Sequence, residues 1–256
     1  MPRPSFAVAL AVGALALAAP RAAGACGVSG PDGASLCMLA QGIGPSFRVS
    51  LSGIYTSTRL SFSGGALQGD ERRGGTVAAL AYSLTRDLTV QGGLGASFGG
   101  AFDAPNGAHR FEPGLLGLVG ASARLYGGPE LDENGEGRER NPFVILTSVF
   151  SFNLTRTKHR DASGSDTTTG YEAFDLRVGG IVGVTVGERF RPYVLARVFG
   201  GPVFWRYEGS AVTGTDFYHV QLGGGLSVAL GKGFAVFAEG VPLGERGASA
   251  GASLAL

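Results

Sequence analysis

The stretch FRVSLSGIY (residues 47–55) alternates apolar and polar side chains. Phe47, Val49, Leu51 and Tyr55 fall at odd positions, whereas positions 48, 50 and 52 carry Arg, Ser and Ser. A period of two residues predicts a β-strand, because successive side chains of a strand point to opposite faces of the sheet. This strand therefore has one apolar face and one polar face.

The same alternation recurs along the chain, for example in LTVQGGLGASF (88–98) and YHVQLGGGLSVAL (218–230). It predicts ten strands, at residues 46–62, 75–85, 88–98, 111–125, 142–156, 171–186, 192–206, 217–230, 233–242 and 247–256. Long polar loops are predicted after strands one, three, five and seven, and tight turns after strands two, six and eight. One connection, residues 127–141, is long where a tight turn is expected.

The composition of the chain is rich in glycine and poor in charge, which narrows the class of protein. Glycine makes up 45 of 256 residues, and charged residues reach only 16%, below the typical quarter. The net charge of +1 comes without a basic stripe, so a nucleic-acid partner is not expected. A soluble barrel would hide its apolar face and expose charges. The small, sparsely charged polar face instead predicts an all-β fold, a closed antiparallel transmembrane β-barrel of about ten strands, with eight or twelve as alternatives.

The N-terminus has the three parts of a secretory signal. Arg3 precedes the apolar run Phe6–Ala19, and the small residues Ala23-Gly24-Ala25 follow it. We therefore expect a signal peptide at residues 1–25, a short N-terminal segment at 26–45, and the barrel at 46–256.

Both cysteines of the chain, Cys26 and Cys37, lie in the short segment. An even number of cysteines in an exported protein favours a disulfide in the oxidising periplasm. Lipid attachment at Cys26 is the alternative, although Ala23-Gly24-Ala25-Cys26 lacks the Leu of a bacterial lipoprotein signal. The sequence therefore predicts a Cys26–Cys37 disulfide that closes a loop in the 26–45 segment, with lipid attachment as the alternative.

An exported chain of about ten alternating strands that ends in GASAGASLAL (247–256) resembles the small outer-membrane β-barrel proteins of Gram-negative bacteria. The outer-membrane protein W and outer-membrane protein A kinds are the most similar. The resemblance implies a monomer in the outer membrane whose partners are membrane lipids, lipopolysaccharide and the barrel-assembly machinery. The last strand of such barrels usually ends in an aromatic residue, and this chain departs from that pattern at Leu256.

Polar side chains on the inward face are the candidate functional residues. Arg197 is assigned inward because a charge that faces lipid at mid-depth costs about 2–4 kcal/mol. A barrel of about eight strands is just filled by side chains, and wide channels need about 16 strands. We therefore expect a neutralised polar network in a narrow lumen, formed by Arg48, Gln91, Arg124, Asp175, Arg177, Arg197, His219, Gln221 and Glu239.

Catalytic and metal-binding patterns are weak. The best hydrolase candidate is the set Glu208, Ser210, Asp216 and His219, without a G-x-S-x-G or H-E-x-x-H motif. The acidic segment DENGEGRERNPF (132–143) resembles a calcium loop but carries Phe143 where a bidentate Glu is required. We expect no enzyme activity, metal or cofactor. The predicted role is structural, or passive passage of small or apolar solutes. The alternatives are an outer-rim barrel hydrolase and a soluble periplasmic ligand-binding barrel.

Overall fold

The structure, a computed structural model, describes residues 28–29, 34–35, 47–85, 87–127, 140–160, 166–187, 189–231 and 233–256. The predicted signal peptide and both cysteines, Cys26 and Cys37, lie outside the described residues. Between the cysteines, β1 (Val28–Ser29) and β2 (Ala34–Ser35) pair in antiparallel orientation. In the described part of the chain no helix is long and apolar enough to cross a membrane.

Thirteen further strands build a single antiparallel sheet. They are β3 (Phe47–Phe62), β4 (Leu67–Ser83), β5 (Leu88–Ala104), β6 (Gly107–Phe111), β7 (Gly114–Gly127), β8 (Arg140–Arg160), β9 (Asp166–Val186), β10 (Phe190–Gly200), β11 (Val203–Tyr207), β12 (Ser210–Asp216), β13 (Val220–Gly231), β14 (Phe234–Leu243) and β15 (Arg246–Ala255).

Three pairs of these strands continue one another across a short interruption, so the wall has ten members. β6 and β7 both lie between β5 and β8, and β10 and β11 both pair with β9. β12 and β13 share the next position in the wall, because β12 pairs with β11 and β13 pairs with β10. The last strand, β15, pairs with β3 from Arg48 to Ser57 and closes the ring. The predicted closed antiparallel barrel of ten strands is confirmed. Closure gives every strand of this wall a hydrogen-bonded neighbour on each side.

The wall narrows towards one end. The β14–β15 hairpin turns at Gly244–Glu245, and beyond this turn β12 pairs directly with β3, placing Gly214 opposite Phe62. Gly244 has a φ of +85°, and a Cβ there would lie 1.8 Å from the carbonyl oxygen of Val220, so the turn requires glycine. We call the ten-stranded part the base and the eight-stranded part beyond this turn the rim.

The long polar loops predicted from the sequence are mostly strand, so this prediction is wrong. In GGALQGDERRG (64–74), for example, β4 already begins at Leu67. Alternation continues through this segment, but its outward positions are polar, as at Asp70 and Arg72, because they lie outside the apolar surface of the base. The 127–141 connection runs from Gly127 to Arg140, and residues 128–139 lie outside the described part.

The exterior of the base is an apolar belt of exposed side chains. Along β3, Leu51 is 62% exposed, whereas its neighbour Ser52 and the inward Arg48 are buried at 1% and 3%. The outward row runs from Phe47 to Tyr55, eight residues apart. At about 3.4 Å per residue this is about 27 Å along the strand, or about 20 Å of height at a typical barrel tilt of 35–45°. The belt is nearly as tall as the apolar band of known membrane barrels, about 25 Å.

Candidate functional site

Eight of the nine side chains predicted to line the lumen point into the barrel. Seven are at most 9% exposed, namely Arg48, Arg124, Asp175, Arg177, Arg197, Gln221 and Glu239, and Gln91 is half-buried. His219 is the exception, because residues 217–219 interrupt the alternation between β12 and β13. It is exposed, with its Nδ1 atom 3.2 Å from the carbonyl oxygen of Phe199, and its inward assignment is wrong.

One polar cluster lies where the β14–β15 turn meets the lumen. Arg177 contacts Asp175 through Nε at 2.5 Å and Glu245 through a terminal nitrogen at 2.7 Å. Gln221 donates its Nε2 amide to the same Glu245 carboxylate at 2.9 Å. The Arg177 guanidinium also stacks over the ring of Phe199, 5.1 Å from its centre. We call these residues the Arg177 cluster.

Glu245 was not identified from the sequence. It occupies a turn between two short strands, where a charged residue ordinarily faces water, yet it is only 4% exposed. Its carboxylate is the acceptor that brings β9, β13 and the turn together, because Arg177 and Gln221 both bind it. A buried arginine requires such a carboxylate partner.

A second cluster lies deeper in the base. Glu239 accepts a hydrogen bond from the Tyr193 hydroxyl at 2.9 Å, and its other oxygen lies 3.4 Å from Arg197. The side chains of Arg197 and Glu239 are 0% and 1% exposed. The pair is fully enclosed and mutually neutralising.

Arg124 lies near the opposite end from the rim, at the end of β7. Its Nε atom is 3.2 Å from an Asp87 oxygen, and it donates to the carbonyl of Gly127 at 3.4 Å. This arginine therefore ties the tight β4–β5 turn to the end of β7.

The rim contains a third set of charges, which the sequence pattern did not predict. Glu71 is 1% exposed, forms an ion pair with Arg73, and accepts a hydrogen bond from the Tyr171 hydroxyl. The Arg73 guanidinium lies over the rings of Phe111 and Tyr171, 5.6 and 5.7 Å from their centres. The two-residue alternation continues through residues 67–74 and could have predicted that Glu71 and Arg73 face inward. The segment is so polar, however, that its composition is that of a loop.

Apolar side chains occupy the rest of the interior. Two clusters fill the base, one of them around Phe143, Ile145 and Ile181 and the other around Ile54, Leu116 and Val149. The third, which we call the rim core, is largely aromatic and consists of Leu60, Phe62, Leu67, Phe102, Phe111, Tyr171, Val203 and Trp205.

The rim core is closely packed. The ring of Trp205 lies 5.1 Å from Phe102 and 5.6 Å from Phe62, and its indole nitrogen donates to Thr157 at 2.9 Å. The space between the rim core and the Arg177 cluster is a cavity of about 30 Å³. Such a cavity holds about one water molecule. Among the described residues, side chains therefore fill most of the interior at this level.

Two histidines stack at the outer end of the rim. The rings of His109 and His159 lie 4.3 Å apart, and the His109 ring meets Trp205 edge-on at 4.8 Å. Burial lowers the pKa of His109 to about 4, and the neighbouring His159 adds to the effect. His109 is therefore neutral at pH 7 and forms part of the aromatic packing.

The candidate hydrolase residues do not come together. Glu208 accepts a hydrogen bond from Asn106 at 3.3 Å, Asp216 accepts one from Thr58 at 3.2 Å, and His219 contacts the backbone of β10. A nucleophile, a base and an orienting carboxylate in mutual hydrogen-bond reach are not found in this set. The described residues also contain no group of three or more His, Cys, Asp or Glu side chains placed to hold a metal ion.

No family model and no curated protein matches the sequence. Among solved structures, the chain is similar to Ail, the attachment invasion locus protein of Yersinia pestis, at 11% identity and a TM-score of 0.34, over 82% of this chain and 99% of that one. It is similar to the transport unit of the autotransporter AIDA-I of Escherichia coli at 10% identity and a TM-score of 0.34, over 81% and 89% of the two chains.

The chain is also similar to the toluene transporter TbuX of Ralstonia pickettii at 9% identity and a TM-score of 0.26, over 84% and 89% of the two chains. The TM-scores lie below 0.5, so the ring of ten antiparallel strands in the structure itself, and not these neighbours, carries the predicted barrel architecture. At these values the likeness does not extend to function.

Proposed function

We propose that the chain is a monomeric outer-membrane β-barrel protein with a structural role and a closed interior. The apolar belt carries this proposal, because it encircles the base with exposed Phe, Leu, Val and Tyr side chains. Soluble monomers rarely expose contiguous apolar patches larger than a few hundred Å². A closed ring of hydrogen-bonded strands with an apolar exterior satisfies its backbone in lipid.

The distribution of charge supports the same placement. Arg48, Arg177 and Arg197 are buried inside the base, whereas the outward positions beside them are apolar. A soluble ligand-binding barrel would have the opposite arrangement, with an apolar cavity and a charged exterior. The soluble alternative is therefore disfavoured for this chain.

A structural role is favoured over passage because side chains fill the interior. Two apolar clusters, the Arg177 cluster and the rim core occupy it, and the cavity between the last two is about 30 Å³. Membrane lipids and lipopolysaccharide contact the belt in this proposal, and the barrel-assembly machinery inserts the chain. The proposal includes no enzyme activity, since the candidate hydrolase residues are separated.

Heat-modifiable gel migration, with β-rich circular dichroism in detergent, tests the membrane proposal. We expect the folded barrel to migrate faster than the boiled chain and to sediment with outer membranes. A protein that stays soluble and monodisperse without detergent would contradict the proposal. Planar-bilayer recordings test the closed interior, for which we expect no steady conductance. A stable open current from the folded protein would indicate passage instead.

A further inference from the structure

The outer surface has a notch directly above the β14–β15 turn. The hairpin stops at Gly244–Glu245, with Glu245 inside the barrel, so the wall beyond the turn lacks two strands. The resulting groove has a volume of about 580 Å³, within the range of small-molecule sites, about 300–1,000 Å³. It lies immediately above Tyr55 and Leu243, at the upper edge of the apolar belt.

Three arginines converge on this groove. Arg246 on β15 and Arg72 on β4 are the direct cross-strand neighbours of Ser57 on β3, one on each side. Neighbouring strands are about 4.8 Å apart, so the two arginine backbones lie about 10 Å apart, with the Ser57 hydroxyl between them. Arg59 follows two residues further along β3.

The three arginines differ in their partners. Arg59 is held by Asp70, with Nε 2.8 Å from a carboxylate oxygen, and Arg72 forms an ion pair with Asp103. Arg246 is exposed and forms no ion pair or side-chain hydrogen bond with another described residue. Among the described residues, no carboxylate therefore occupies the donors of the Arg246 guanidinium. The guanidinium groups of Arg59 and Arg72 are each held by an aspartate.

We infer that this groove binds the phosphate of a membrane lipid headgroup, with Arg246 as the principal ligand and Ser57 and Arg72 beside it. A guanidinium donates two parallel hydrogen bonds to a phosphate. The apolar side chains of Leu243 and Tyr218 at the groove are 58% and 43% exposed, and they offer a surface for acyl chains. The inference rests on the proposed membrane placement, which puts this row of residues at the headgroup level.

A second groove on the wall is similar in size but differs in charge from the notch. This groove, of about 630 Å³, is lined by Arg156, Glu112 and Glu172 among others. It also adjoins outward apolar residues, Leu115 and Leu154. It contains one arginine and two carboxylates, whereas the notch contains three arginines and one carboxylate. Arg156 is therefore a matched control for Arg246.

Native mass spectrometry of the folded protein, released from maltoside micelles that contain equal amounts of phosphatidic acid and phosphatidylcholine, tests the inference. We expect the protein to retain phosphatidic acid in preference to phosphatidylcholine. Arg246→Ala should lower the affinity for phosphatidic acid about tenfold, the effect of losing a hydrogen bond to a charged group. Arg246→Lys, which keeps the charge but not the paired donors, should lose less. Arg156→Ala should change the affinity less than twofold.

Equal retention of both lipids, an unchanged affinity in Arg246→Ala, or an equal loss in Arg156→Ala would overturn the inference. Displacement of phosphatidic acid by inorganic phosphate alone would assign the site to a free anion and would also overturn it. Only variants with heat-modifiable migration like that of the parent protein are compared. A folded barrel without lipid selectivity refutes this site alone, whereas absence of the folded barrel in detergent refutes the proposed function.

Discussion

The base and the rim have opposite polarity, although the same strands run through both. On β3, the base points Leu51 outward and Ser52 inward, whereas the rim points Arg59 outward and Leu60 inward. β3 pairs with β4 without a register shift from one end to the other, so the change of polarity comes only from which residues occupy the inward and outward positions. An apolar exterior is typical of a surface in lipid, and a polar exterior over an apolar interior is typical of a surface in water. In the proposed function, the change of polarity along β3 therefore marks the edge of the membrane.

The largest effect is expected from the buried charges of the base. Glu239→Ala removes the carboxylate that accepts from Tyr193 and faces Arg197, which leaves a buried arginine without this partner. We expect a loss of about 3–5 kcal/mol in the free energy of unfolding, measured by urea titration in micelles. Tyr193→Phe, which removes only the hydroxyl, should cost less, about 1.5–3 kcal/mol. A loss in Glu239→Ala no larger than that of a surface substitution would show that the base interior does not depend on its ion pairs.

A charge introduced on the outer surface should destabilise the base much more than the rim. Leu51→Arg places a charge at the middle of the belt, and we expect a cost of about 2–4 kcal/mol in a lipid bilayer. Ser61→Arg lies on the outward row of the same strand, in the rim, and should change the free energy of unfolding by about 0.5 kcal/mol or less. Equal costs in unfolding titrations from vesicles would contradict the change of polarity along β3.

The smallest effect concerns pH and the rim core. Because burial lowers the pKa of His109 to about 4, the folded rim binds fewer protons than the unfolded chain between about pH 4 and pH 6.5. The contribution of neutral His109 to the free energy of unfolding is complete above about pH 6.5. It decreases as the pH falls from about 6.5 to about 4, and it changes no further below about pH 4.

Trp205 allows a direct measurement, because it is the only tryptophan and lies against His109. A protonated imidazole quenches a neighbouring indole, so its fluorescence should fall with a midpoint near pH 4. His109→Phe should abolish the transition. A midpoint near 6.5, the pKa of an unperturbed histidine, would show that His109 is not buried against Trp205.

The sequence predicted the strands and their faces well in the base and poorly in the rim. Alternation identifies Arg48, Arg177 and Arg197 as inward, because the residues beside them are apolar and lie on the opposite, outward face. In the rim, Asp70 and Arg72 are outward and Glu71 is inward, so both faces carry charge and the segment has the composition of a loop. His219 was misassigned for a related reason, since an interruption of the strand at residues 217–219 cannot be recognised from the alternation on either side.

By itself, the sequence determined which side chains of a strand share a face, because that property depends only on the two-residue period of the backbone. It also predicted about ten strands, with eight and twelve as alternatives, and the wall of the structure has ten. The tertiary structure alone decided where the ring closes and which charges meet. Arg177 and Glu245 are 68 residues apart, and they pair because the β14–β15 hairpin ends early and turns its carboxylate into the lumen. The notch and its exposed Arg246 follow from the same short hairpin, since pairing between distant strands sets where each side chain lies along the wall.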